Sequence, residues 1–139
     1  VVFLVKKERR IVAATGRAMG CSPYVSKWKR YGETQVPYVY GEGSVAVVVE
    51  DCVSASVVGE MENMVGFALL GTNLLDSYIE FLKPYSKIVV ALDPDAKRKT
   101  LSITSTLRST FPDVFALNLH DDIKYRLPLD MAYLRKFAG

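Results

Sequence analysis

The chain has little of what secreted scaffolds, zinc modules and membrane proteins are built from. Its two cysteines, Cys21 and Cys52, are too few for a disulfide framework, and the single histidine, His120, leaves no His/Cys zinc site. No apolar run approaches the roughly 20 residues that span a bilayer, so no membrane partner is expected. A Walker A loop is missing, which excludes a motor ATPase within this piece, and no Ser/His/Asp or Cys/His set stands out for nucleophilic catalysis. Val1 stands where an initiator methionine would, without a signal-peptide charge pattern, so the chain reads as an excised domain from a reducing, cytoplasmic setting.

What is present is ample core material. The 139 residues are 50% hydrophobic and 24% charged, which suits one globular domain and excludes global disorder. The net charge of +3 conceals an uneven distribution. Residues 1–32 hold eight bases (Lys6, Lys7, Arg9, Arg10, Arg17, Lys27, Lys29, Arg30) and one acid, Glu8, for +7, and the remainder carries −4. A polyanionic partner is expected at the basic end and a cation-binding function in the acidic body.

Val1–Val5 and Ile11–Thr15 are apolar, β-branched segments around the charge run 6–10, a β-hairpin pattern. Residues 16–43 are punctuated by Gly, Pro and Tyr, which suits loops and short strands. Beyond Gly43 the pattern becomes regular. Four apolar runs, Val45–Val49, Val65–Leu70, Ile88–Leu92 and Val114–Leu119, read as strands buried on both faces. Between them lie helical stripes at Val53, Val57, Val58 and Met61, then Leu74, Leu75, Tyr78, Ile79 and Leu82, then Leu101, Ser105 and Arg108. A last helix starts near Pro128 and carries Met131, Leu134 and Phe137. The expected fold class is α/β: a mainly parallel four-stranded sheet with flanking helices over 44–139, preceded by a small basic region with a β-hairpin over 1–43.

In such sheets ligands bind beyond the carboxyl ends of the strands. Those ends hold Glu50-Asp51, Gly71-Thr72, Asp93-Pro94-Asp95 and His120-Asp121-Asp122, so six of the fifteen acids fall on one edge. Crowded like charges call for a cation or for protonation, and hard carboxylate oxygens suit Mg²⁺ or Mn²⁺. The plainer alternative is that each acid ends a strand or caps a helix, as Asp95 would for a helix starting near Ala96. His120 suits a structural or capping role, and Asp121 and Asp122 suit either outer charge or a plain loop.

Val47-Val48-Val49-Glu50, Leu69-Leu70-Gly71-Thr72 and Val89-Val90-Ala91-Leu92-Asp93-Pro94-Asp95 together resemble the TOPRIM domain of topoisomerases and primases. That family ends one strand with a glutamate and, about forty residues later, another with Asp-x-Asp. The Gly-Thr pair between them resembles the bacterial and phage primase branch. Gly16-Arg17 and Ser26-Lys27-Trp28-Lys29-Arg30-Tyr31 resemble the basic segment before the core in phage-type primases. Asp51 stands where the family usually has glycine, Ser54 where primases often carry another acid, and Ala96-Lys97-Arg98-Lys99 where glycine commonly follows Asp-x-Asp. The resemblance implies a Rossmann-like TOPRIM fold with Glu50, Asp93 and Asp95 as catalytic, Mg²⁺- or Mn²⁺-holding residues.

The same resemblance implies a DNA primase core that joins ribonucleotides into primers on single-stranded DNA. Its partners would be the template, NTPs, and a replicative helicase or other domains of the parent protein, in the host cytoplasm if phage-encoded. Gly71, Thr72, Lys97 and Arg98 are the candidates for nucleotide phosphates, the bases lying near a helix N-terminus. Arg17, Lys27, Trp28, Lys29 and Arg30, with Tyr24 and Tyr31, interleave cations and aromatics as single-stranded nucleic-acid grooves do. The plain readings are a turn for Gly71-Thr72, a solvated charge run for 97–99 and a core role for Trp28. A TOPRIM-type nuclease, a non-catalytic nucleic-acid-binding domain and a phospho-receiver module remain as alternatives. A receiver would want a lysine ending a fifth strand, which the pattern does not show.

Overall fold

The computed structural model describes residues 1–19, 27–33 and 35–139; Cys21, Tyr24 and Ser26 lie outside them. Strands β1 (Val2–Lys7), β2 (Arg10–Arg17) and β3 (Trp28–Gly32) form an antiparallel sheet in the order β1-β2-β3. The charge run 6–10 does not interrupt the hairpin as its composition suggests. Lys7 pairs with Arg10, and Glu8 and Arg9 make a two-residue turn with φ of 52° and 67°. That left-handed pair matches the twist of the flanking strands.

The second sheet has five strands where the sequence pattern suggested four. β5 (Val45–Val49), β6 (Met64–Ala68), β7 (Lys87–Val90) and β8 (Val114–Ala116) are parallel. The addition is β4 (Tyr38–Gly41), which pairs antiparallel with β6 at the edge. Its four residues, three of them Tyr or Gly, follow Pro37 and lack the continuous aliphatic run that marks the inner strands; their partner, β6, is remote in sequence. The order is β4-β6-β5-β7-β8.

Every residue of β5 and β6 is buried, because both faces are covered. Val45, Val47, Val49, Val89 and Ala91 pack with Cys52, Ala55 and Val58 of helix α1 (Cys52–Gly59), with Met131 and Leu134 of helix α4 (Pro128–Arg135), and with Val5 and Ala13 of the first sheet. On the other face Ala46, Val48, Ile88, Val90 and Leu92 pack with helices α2 (Asp76–Leu82) and α3 (Lys97–Arg108) through Tyr78, Leu82, Ile103 and Leu107. The stripe expected on α3 is displaced. Leu101, Ser105 and Arg108 face solvent, and the buried face is Thr100, Ile103, Thr104 and Leu107. The threonines are tolerated there because Thr104 Oγ1 donates to the Thr100 carbonyl at 2.7 Å, which satisfies the hydroxyl within the helix. Phe137 lies beyond α4 in a short 3₁₀ turn and still packs against the core.

Gly66 sets the approach of α1 to the sheet. A Cβ there would stand 1.9 Å from the Ala55 carbonyl oxygen, and a helix backbone cannot yield that far without moving the layer. Gly66→Ala is expected to cost about 3 kcal/mol, the upper end of overpacking penalties. A lower urea midpoint with an unchanged m value would show it.

Candidate functional site

The sheet order places the strand-end acids together. From β5 the chain crosses to β6 on one side, then passes back over β5 to β7 on the other. The reversal opens a crevice between the carboxyl ends of β5 and β7, the switch point where α/β sheets bind ligands. Ladder pairing carries the two strands to that edge in register, with Val48 opposite Val90 and Ala91 N–H donating to the Val48 carbonyl at 2.9 Å. Glu50 leaves β5 and Asp93 leaves β7 at the same height. The Asp93 backbone N–H donates to Glu50 Oε1 at 3.2 Å.

Asp95 follows in a 3₁₀ turn, Pro94–Ala96, and caps neither that turn nor α3 with its side chain. Glu50, Asp93 and Asp95 each offer an oxygen within 4.8 Å of the others. The neighbouring Asp51 is occupied differently. Its Oδ1 accepts from the Ser54 N–H at 2.8 Å and N-caps α1.

Burial is the first cause that raises the Glu50 carboxyl to about 7, followed by the charge of Asp93, with smaller contributions from Asp95 and Asp51. The Asp93 N–H opposes them. Asp93 is pushed up to about 6, again by burial first, then by Asp122 and Asp51, while Lys124 pulls it down. Half-buried carboxylates that repel one another at neutral pH have the chemistry of a cation site. Three hard oxygen donors with room for water fit a magnesium or manganese ion.

The site opens into a cleft of about 550 Å³ between the two sheets. Glu50, Asp51, Asp93, Asp95, Asp122, Leu70 and Gly71 form one wall, and Thr15, Lys27, Trp28, Lys29 and Arg30 the other. Leu70 takes a left-handed φ of 61° and Gly71 one of 145°; their turn carries Gly71 N–H to the Glu50 carbonyl at 3.1 Å. A non-glycine residue in that region is strained, and such strain collects at functional sites.

The expected basic and aromatic residues have different duties. Lys27, Trp28, Lys29 and Arg30 line the cleft. Arg17 does not line it, but its guanidinium lies 5.1 Å above the Trp28 ring, which packs on Phe3. Arg30 is committed to the fold, donating to the Val36 carbonyl at 2.6 Å and to Tyr78 Oη at 3.4 Å. Of the phosphate candidates, Gly71 lines the cleft, whereas Thr72, Lys97 and Arg98 do not. Lys97 and Arg98 stand exposed on the first turn of α3, and Lys99 reaches Asn73 Oδ1 at 3.2 Å.

Two residues of this edge escaped the sequence reading. Lys124 lines the cleft with its Nζ 3.6 Å from Asp122 Oδ2; a lone base within an acid-rich loop was its only mark. Asp130 is almost wholly buried and gathers the loop after β8. It accepts from the His120 N–H at 2.9 Å, the Asp121 N–H at 3.1 Å and His120 Nδ1 at 2.8 Å. His120 is therefore structural, and Asp130 fixes the loop that presents Asp122.

The fold is that of primase cores. The chain superimposes on the Aquifex aeolicus primase (zinc-binding and RNA polymerase domains) with a TM-score of 0.72 and 22% identity, covering 99% of this chain and 39% of that one. It superimposes on the DnaG catalytic core with a TM-score of 0.70 and 16% identity, covering 98% of this chain and 51% of that one. The chain thus spans about half or less of the structures it matches. No family model and no curated protein matches the sequence. No helix among the described residues is long and apolar enough to cross a membrane.

Two outcomes follow for the site. The folded state holds protons on Glu50 and Asp93 that the unfolded chain releases near ordinary carboxylate values. Their contribution to stability is therefore full at low pH and lost as pH rises from the ordinary carboxylate range to about 7. Glu50→Gln is expected to raise Tm in EDTA at pH 8, with the gain shrinking as pH falls and vanishing below the ordinary carboxylate value, by about pH 4; scanning calorimetry at both pH values checks it. Asp130→Ala orphans two backbone N–H groups and should lower stability by about 2 kcal/mol in denaturant titrations.

Proposed function

We propose that the chain is the TOPRIM-type catalytic core of a DNA primase, a nucleotidyltransferase that makes RNA primers on single-stranded DNA. One observation carries this reading: the three carboxylates of Glu50, Asp93 and Asp95 converge in a cleft whose opposite wall is basic and aromatic. The primase likeness of the fold supports it.

Glu50, Asp93 and Asp95 would hold Mg²⁺ or Mn²⁺, which when bound neutralises phosphate charge and activates an oxygen nucleophile. Lys27 and Lys29 offer phosphate contacts to a single strand, and the part of Trp28 that Phe3, Arg17 and the core leave exposed offers a stacking edge. Arg17 and Arg30 serve that wall by positioning it. The turn at Gly71 lets a nucleotide approach the backbone, with Thr72, Lys97 and Arg98 farther out for its phosphates. Template DNA, NTPs, further domains of a longer protein and a replicative helicase are the partners this reading calls for, in the cytoplasm.

The test is primer synthesis on single-stranded DNA with NTPs and Mg²⁺. Asp93→Ala and Glu50→Ala are each expected to lower the rate by about 100-fold or more, since a metal ligand supplies several kcal/mol of charge stabilisation. Cleavage of the strand without any primer would identify a nuclease. Neither activity, in this chain or a longer one, would leave nucleic-acid binding alone.

A further inference from the structure

The acids in the cleft are numerous enough to suggest two metal ions, yet their partners account for all but one site. Glu50, Asp93 and Asp95 form the one group among the described residues able to hold an ion. Of the remaining carboxylates there, Asp51 is spent on the N-cap of α1. Asp122 is paired with Lys124 at 3.6 Å. That pair is well shielded, with the lysine side chain 14% exposed and the aspartate 24%. Lys124 Nζ also sits 5.4 Å over the Tyr125 ring, which restrains the side chain. Lys124 and Asp122 line the same cleft as Asp93.

We propose that Lys124 is the built-in second cation of this cleft: the site takes a single divalent ion on Glu50, Asp93 and Asp95, and the Lys124 ammonium, which lines the same cleft, supplies the further positive charge for the substrate phosphates. The inference deepens the nucleotidyl-transfer reading above and rests on its metal site. Two-metal centres set their ions about 3.5–4 Å apart, bridged by shared ligands. Here Asp122, the further carboxylate such a bridge would use, is paired with an ammonium instead. An ammonium is a point charge with three donors and suits phosphate oxygens. Unlike a bound ion it does not dissociate from the chain, so phosphate affinity survives at a metal concentration that fills only one site.

The test counts Mn²⁺ bound to the full chain by electron paramagnetic resonance, and separately measures inorganic triphosphate binding by calorimetry in saturating Mn²⁺. One ion per wild-type chain is expected, and none on Asp93→Asn. Lys124→Gln should weaken triphosphate about tenfold or more, the worth of one charge-assisted contact, while keeping the single high-affinity ion. Lys124→Arg should recover most of the loss. Two tightly bound ions on the wild type would overturn the proposal, and that count needs no variant to fold. Unchanged triphosphate affinity in folded Lys124→Gln would also overturn it. An ion retained by Asp93→Asn would remove the metal site beneath both readings. Primer synthesis is not among these readouts, so its absence would bear on the function alone.

Discussion

Mutual repulsion of carboxylates at one edge of a buried sheet is the constraint from which the rest of the site follows. Burial on both faces lets β5 and β7 run continuously apolar up to their last residues, and it also strips water from the acids that end them. The fold answers in three ways. Glu50 accepts a backbone N–H from Asp93, Asp51 is turned into a helix cap, and Asp122 is given a lysine. What remains unanswered is the trio Glu50, Asp93 and Asp95, and the raised proton affinities of Glu50 and Asp93 register the deficit. A cation held there would restore the balance.

The two sheets divide the work of the cleft. The five-stranded sheet is rigid because its layers are packed through Val, Ile and Leu on both faces, so it can hold acids against their repulsion. The smaller antiparallel sheet brings the opposite charge. Its inner face packs through Val5 and Ala13, and its last strand turns Trp28 and Arg30 inward. Arg30, which reads in sequence as one more base for a phosphate, anchors that strand to Val36 and Tyr78. Charge of the right sign is thus used as a structural tie within a few ångströms of a surface where it would serve a ligand.

Much of the core was legible beforehand because strands buried on both faces leave unbroken aliphatic runs. β5 was bounded to the residue, and β6, β7 and β8 were found with frayed ends, where Leu70 turns left-handed and the ladder past Ala116 thins. The failures share a cause. β4, mostly Tyr and Gly, exists because β6 has an edge to fill, and the buried face of α3 runs through threonines whose hydroxyls are satisfied inside the helix. Neither fact is carried by local hydropathy. Glu50 and Asp93 were legible because each follows an apolar run, with Asp95 two residues beyond Asp93, and strand ends in parallel sheets lie on one side.

The amino-acid order by itself determined the alternation of strands and helices, the basic start and acidic body, and which acids stand at strand ends, because these depend on neighbours along the chain. Tertiary structure alone decided the strand order, and with it the switch point that sets Glu50 beside Asp93. It also decided which charges are spent: Asp51 on a cap, Arg30 on carbonyls, Asp130 on a loop, and Lys124 beside Asp122. Those assignments depend on distances between segments far apart in sequence, and a carboxylate or guanidinium shows the same letter whether its partner is a ligand or its own backbone.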